Sequence, residues 1–315
     1  HFESLRYGIE NQASSIRMYQ AMLLSGTDMA KQETRVNFGL LTKFRIIPGC
    51  MGVYKFGDEN TPIAEIEEII VGSKYMTFED YVSCRVMNLI IETYINNALF
   101  EEIFSALGAM DISTFDCLVY LHEHDELYTS KMKEIFKNFI SSTKDDLYDS
   151  YEEAEKYVFR PEIMKKYVAG ELGINELLVY KAELYLELED ISAVLLKAVK
   201  NFLREENLLN DNAEKYFEQL TKFILCMKKN FHKYDEKING SFNFDFKLID
   251  KLNYKVDPRK IKQVHNQINF KFFHKQSQTE HIKNCLSLYE NTPSAIGRMI
   301  QRTNLKKMYR HFEQI

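Results

Sequence analysis

The chain has 315 residues, of which 45% are hydrophobic and 28% charged, and a formal net charge of −5. This is a folding composition, not that of a disordered chain. No apolar run approaches the ~20 residues that span a bilayer, and residues 1–30 lack the layout of a signal peptide, so no membrane span and a cytoplasmic location are expected. Five cysteines, Cys50, Cys84, Cys117, Cys226 and Cys285, are far apart and odd in number, which argues against a disulfide framework and against a C-x-x-C metal module. The net charge hides an asymmetry: residues 144–190 hold thirteen acids and six bases, whereas 255–311 hold twelve bases and three acids. Opposite fields of this kind suit internal or inter-subunit complementarity better than a polyanion-binding surface.

In chain order, Phe2, Leu5 and Ile9 form one helical stripe over residues 1–12. The chain begins at His1 inside that pattern with no initiator methionine, so a fragment is expected. Residues 14–24, with apolar Ile16, Met18 and Leu23, read as a strand that closes at Ser25-Gly26. Thr27 or Asp28 then caps a helix running to Phe38 and stopped by Gly39. Helix, strand, helix is the rhythm of a parallel sheet. From Leu41 to Val71 come three extended pieces, LTKFRIIP, CMGVYKF and IAEIEEIIV, and the turn-rich residues 57–62 predict a hairpin between the last two.

Thr77 opens the strongest helical pattern, which runs to Leu107 before Gly108 and is apolar over most of its circumference. Its exceptions, Arg85, Asn88, Glu92 and Asn96, fall on one stripe. Further helices are predicted over 114–122, 126–142, 145–159, 161–171, 175–206, 211–237, 257–268, 279–290 and 293–312. The alternation of Phe242, Phe244, Phe246 and Leu248 predicts a strand over 241–249, with FKFF at 270–273 as its partner.

Three constellations have site chemistry. LHEHDE at 121–126 offers His122, His124, Asp125 and Glu126 as metal ligands, but on a helix the two histidines point about 200° apart, so no metal is assigned. The tail gathers Arg298, Arg302, Lys306, Lys307 and Arg310, which suits phosphate contacts or a basic helix docked on the chain's own acids. The stripe of Arg85, Asn88 and Glu92 is either a solvated edge or the lining of a substrate cavity or interface, with Arg85 and Glu92 in charge-assisted contacts. No nucleophile triad or paired-carboxylate spacing is present, so no catalytic residue is assigned.

Residues 18–30, MYQAMLLSGTDMA, followed by TKFRIIPGCMGVY and by AEIEEIIVGSKYMTFEDYVSCRVMNLIIETYINNALFEEI, resemble a region of radical S-adenosylmethionine proteins. The members in question carry an N-terminal cobalamin-binding domain, and the region is the one after their core motifs. The likeness covers residues 1–120 well and the remainder loosely. It implies that the opening helix follows the fifth barrel strand and that MYQAMLL is the sixth. Ser25-Gly26-Thr27 stands where the family has Pro-Gly-Thr, with Ser25 departing from the pattern. Strand ends of such a barrel face the catalytic mouth, so the resemblance makes Arg17, Gln20, Gly26 and Thr27 candidate cofactor-binding residues.

The family's C-x-x-x-C-x-x-C loop, which binds the [4Fe-4S] cluster, is absent, as is a cobalamin-binding motif. The resemblance therefore puts S-adenosylmethionine, the cluster and cobalamin in the full-length protein, and leaves no cofactor and no catalysis to this chain alone. Its expected partners are the upstream barrel and cobalamin-type domains of the same protein and a small-molecule or lipid-like substrate.

The expected fold is mainly α, a multi-helix domain with a small α/β start, the remnant of a partial TIM-like barrel, and a few short strands. Residues 1–40 form the barrel remnant, 41–75 a hairpin connector and 76–315 the helical domain, with the strand pair near 241–249 and 270–273. The expected function is to cap the barrel and shape the substrate cavity. A helical protein-interaction scaffold and a nucleic-acid binder using the basic tail are the alternatives, the acidic net charge weighing against the second.

Overall fold

A computed structural model describes residues 1–11, 15–288 and 293–315. In chain order the elements are α1 (Phe2–Glu10), α2 (Gln32–Phe38), β1 (Leu41–Phe56), β2 (Glu59–Gly72), α3 (Phe78–Tyr94), α4 (Glu101–Gly108), α5 (Thr114–Glu123), α6 (Ser130–Asp145), α7 (Tyr151–Val158) and α8 (Pro161–Val168). They continue with α9 (Glu176–Leu186), α10 (Leu188–Glu205), α11 (Asp211–Lys228), β3 (Ile238–Phe242), α12 (Phe246–Lys251), β4 (Ile268–Phe273), α13 (Gln276–Leu288), α14 (Pro293–Arg302) and β5 (His311–Gln314). The fold is mainly helical, with one two-stranded sheet near the start and a few short strands later. Among the described residues no helix is long and apolar enough to cross a membrane.

The chain divides into two compact units, each assembled from separate stretches. The first comprises His1–Ile16, Leu89–Ile135 and Lys181–Ile315. Its centre is α10 against α11. Leu188, Ile191, Val194, Leu195, Ala198, Val199 and Leu203 make the buried stripe of α10, and α11 answers with Ala213, Tyr216, Phe217, Leu220, Phe223, Ile224 and Met227. Each large apolar side chain so buried contributes roughly 1.5–3 kcal/mol. Asn210 starts α11 by accepting a hydrogen bond from the Ala213 amide at 2.9 Å. On α11 lies an antiparallel sheet in the order β3-β4-β5. Phe223 is its anchor, with the rings of Phe242, Phe246, Phe270, Phe272 and Phe312 at centroid distances of 4.5–5.6 Å.

The second unit, Arg17–Asn88 and Phe136–Tyr180, is built on the antiparallel hairpin of β1 and β2. Register irregularities between Leu41 and Thr42 and between Ile46 and Met51 divide the ladder, and Pro48 and Gly49, the latter at φ +77°, fall in the second. The base of the hairpin is buried: Ile69 and Val71 pack with Tyr81 and Val82, and Ile46 packs with Val158 and Met164. Its far end is not, and Phe56 is 70% exposed.

Several elements depart from expectation for identifiable reasons. Residues 15–24 are extended but do not enter a parallel sheet. They meet β2 antiparallel through one bridge, Met22 to Ile69, with Leu23 N donating to Glu68 O at 2.8 Å and Ile70 N to Ala21 O at 2.9 Å. The expected helix 77–107 breaks after Tyr94, where Asn97 and Ala98 take φ values of 62° and 54°. The predicted strand 241–249 stops at Phe242 because the Asp245 carboxylate caps α12, accepting from the Leu248 amide at 3.0 Å. The aromatic alternation marked burial more than strand, since Phe242, Phe244 and Phe246 are all buried. No helix forms over 257–268, where Asp257 turns its carboxylate on Arg259 and Lys260 and closes only a local turn. The predicted helices 175–206 and 211–237 are interrupted at Glu187 and end at Lys228 respectively. The basic tail is α-helical only to Arg302, makes a short 3-10 turn over Leu305–Met308 and then enters the sheet as β5.

Candidate functional site

The second unit holds a cluster of buried charges, and two residues singled out from the sequence, Gln20 and Arg85, meet in it. Arg85 on α3 is 5% exposed. Its guanidinium donates to the Glu176 carboxylate at the start of α9 and lies over the Phe139 ring, 5.7 Å from the centroid. Glu176 also accepts from the Gln20 amide at 3.5 Å, and the Gln20 carbonyl accepts from the Tyr81 hydroxyl at 3.0 Å. Burial pushes the Tyr81 phenol up to about 12, so it remains a donor throughout the physiological range. On the hairpin base a second pair joins Arg45 to Glu67. Arg85 Nε and Glu67 Oε2 are buried and have no hydrogen-bond partner.

Asp146, an exposed residue whose carboxyl faces the pair, adds a third carboxyl at the edge of the cluster. Its pKa rises to about 6, chiefly through the desolvating protein around the carboxyl and then through the Glu176 carboxylate, with Arg45 opposing. The cluster thus carries two arginines, three carboxyl groups, an amide and a phenol. It can orient a polar group by charge-assisted hydrogen bonds, and Asp146 can exchange a proton near neutrality.

Arg17 is exposed and makes no ion pair among the described residues. Gly26 and Thr27 build a turn: Thr27 N and Oγ1 donate to Leu24 O at 3.2 and 2.7 Å, and Gly26 takes the φ of +83° that a type II turn needs at its third position.

The polar stripe on α3 is not a solvated edge. Arg85, Asn88 and Asn96 are buried, and Glu92 is nearly so. From Leu89 onward the stripe belongs to the first unit, where Glu92 pairs with the buried Lys181 at 2.7 Å and accepts from the Asn96 amide. Asn96 in turn brackets the backbone of Ile16, accepting from Ile16 N at 2.9 Å and donating to Ile16 O at 3.0 Å.

The tail bases split between surface and interior. Arg310 donates to Cys226 O, Lys229 O, Asn230 O and the Glu236 carboxylate, closing the C-terminal end of α11. Lys306 pairs with Glu101 at 2.6 Å, while Lys307 is exposed. In the LHEHDE string, His122 meets the Phe2 ring edge-on and His124 stacks on Tyr120. Among the described residues no three His, Cys, Asp or Glu side chains are grouped as metal ligands.

Sequence reasoning missed Arg45, Glu67, Asp146, Glu176 and, in the first unit, Lys181, Glu102 and Lys228. Lys228 is 2% exposed and pairs with Glu102 at 2.7 Å. The available signal was a charge set in an apolar run, as Glu176 and Lys181 are in ELLVYKAEL. No protein-family model and no curated protein matches this chain.

Proposed function

We propose that this chain is the C-terminal region of a cytoplasmic radical S-adenosylmethionine enzyme of the cobalamin-binding-domain type, closing the barrel and shaping access to a small-molecule or lipid-like substrate. The sequence likeness over residues 1–120 is joined by one observation from the fold. Residues 15–24 run extended, are bridged to β2 at a single residue, and turn apolar side chains outward: Tyr19 is 81% exposed, with Met22 and Leu24 also exposed. The α2 that follows exposes Val36 and Phe38. A strand and helix with this much uncovered apolar surface suit the margin of a larger α/β layer. Gln20, on the inner side of the strand, then brings the Arg85–Glu176 pair to the margin of the cavity.

The five cysteines do not fit the cluster. Cys50 and Cys84 lie in one unit and Cys117, Cys226 and Cys285 in the other, and no triplet has the motif spacing. The iron–sulfur chemistry accordingly belongs to residues outside this chain.

The test begins with the coding sequence upstream of His1. The reading expects a C-x-x-x-C-x-x-C loop there, and a [4Fe-4S] cluster by iron and sulfide assay on the longer polypeptide after anaerobic reconstitution, but none on residues 1–315. An upstream sequence without the loop, or a stoichiometric cluster on this chain alone, refutes it. In the first of those outcomes the protein-interaction scaffold takes precedence. The far end of the hairpin, where Val53, Tyr54, Phe56 and Ile63 are all exposed, would be its docking element.

A further inference from the structure

The break between α3 and α4 lies wholly in the first unit, and its backbone accounting is unusual. In an unbroken helix the carbonyls of Asn96, Asn97, Ala98 and Leu99 would accept from the amides of Phe100, Glu101, Glu102 and Ile103. Here Ile103 N turns to Phe100 O at 3.0 Å, and side chains from other elements take over the four carbonyls. The Tyr185 hydroxyl on α9 donates to Asn96 O at 3.3 Å and the Tyr309 hydroxyl to Asn97 O at 3.1 Å. The Lys228 ammonium at the end of α11 donates to Ala98 O and Leu99 O, both at 2.9 Å, as well as to Glu102. Burial pushes both phenols well up, so they remain protonated donors.

The break is also strained. Asn97 and Ala98 are consecutive residues in the left-handed region, and alanine has no side-chain amide or carboxylate to offset the steric cost. Local sequence permits a left-handed residue at Asn97 but gives Ala98 no such allowance, and the apolar pattern resumes at once with Leu99 and Phe100.

A single segment holds much of this arrangement. After α14, residues 304–310 cross the break. Leu305 N donates to Asn97 Oδ1 at 3.4 Å, Lys306 pairs with Glu101, and Tyr309 supplies its hydroxyl. Arg310 fixes the end of α11, the same helix end that presents Lys228 to the break. The strap therefore acts twice, directly through Tyr309 and through Arg310 on the lysine's helix.

We propose that the α3–α4 break is a latched hinge and that residues 304–310 are its latch: lifting the strap withdraws donors from a strained backbone and frees α4 to pivot on the end of α3. The inference does not depend on the enzymatic reading above. It is a property of the first unit whatever chemistry the full protein performs.

Hydrogen exchange with mass spectrometry on the intact 315-residue chain tests it. Tyr309→Phe deletes one hydroxyl and leaves the ring. Loss of one such hydrogen bond to a buried carbonyl is expected to speed exchange in peptides spanning 95–104 by about tenfold, while α10 and α11 change less than about twofold. Lys228→Met, which removes the hydrogen bonds to two of the four carbonyls and to Glu102 at once, should exceed Tyr309→Phe in the same peptides. Unchanged exchange over 95–104 in Tyr309→Phe overturns the proposal. So does an equal acceleration throughout α10 and α11, which would make the break a rigid part of the global fold. If Lys228→Met fails to fold, Tyr309→Phe decides alone.

Discussion

Replacing Arg85 by methionine tests the charge cluster most directly. The substitution keeps much of the side-chain volume over the Phe139 ring and removes the guanidinium, leaving the Glu176 carboxylate, 10% exposed, with only the Gln20 amide at 3.5 Å. Orphaning one partner of a buried pair costs about 3–5 kcal/mol. Because Gln20 remains, the lower end, about 3 kcal/mol at pH 7, is expected. For a unit of this size that corresponds to a fall in melting temperature of roughly 10 °C or more. The double variant Arg85→Met with Glu176→Leu removes both charges, and replacing a buried pair by apolar residues is commonly near neutral, so most of the loss should be recovered. Thermal melts by circular dichroism on the wild type, both single variants and the double variant give the coupling energy. Single variants within about 1 kcal/mol of wild type, or a double variant worse than either, would show that the two charges do not depend on each other in the fold.

Asp146 should titrate near its raised value of about 6, compared with the ordinary 3.8. A carboxyl whose pKa is raised on folding stabilises the folded chain fully below about pH 4, and that contribution is lost as pH rises through about 6. Asp146→Asn should therefore melt higher than wild type at pH 7.5, with the two converging below pH 4; a carbon-13 titration of the Asp146 carboxyl with a midpoint near 4 would contradict this. Phe223→Ala removes the ring at the centre of five others and should cost about 3–5 kcal/mol in urea unfolding. Asn210→Ala deletes the cap of α11 at a cost of about 1 kcal/mol, read in the same assay, and no measurable change would mean that the Ala213 amide finds another acceptor.

Much of the fold is legible in the sequence because helical periodicity, caps and turn residues act locally. Gly39 ends α2 in the left-handed conformation expected of it, and the hairpin turns within the expected 57–62 stretch, at Gly57-Asp58, with residues 59–62 already paired in β2. What could not be read depends on contacts distant in sequence. At the helix break around Asn97 the freed carbonyls are taken by Tyr185, Lys228 and Tyr309, the last 212 residues away. The end of the predicted strand 241–249 turned on one capping carboxylate, which outweighed a clear period-two pattern. In the candidate site, Gln20 and Arg85 were found, but Glu176, Arg45 and Asp146 were not. A carboxylate looks the same in sequence whether water or an arginine solvates it.

The sheet on α11 also bears on how the chain is made. Its third strand, β5, comes from residues 311–314, and Arg310 just before it supplies the groups that close the end of α11. Phe223 meets the Phe312 ring at 4.9 Å, yet 89 residues of synthesis separate the two. During translation β3 and β4 can cover α11 first, and only the part of the aromatic layer that Phe312 closes, against Phe223, Phe270 and Phe272, stays open until residues 311–314 have left the ribosome. A chain that stops before residue 304 would keep all its long helices but leave the edge of the aromatic layer uncovered where Phe312 packs. Such a product should be prone to aggregation and a ready substrate for chaperones and proteases.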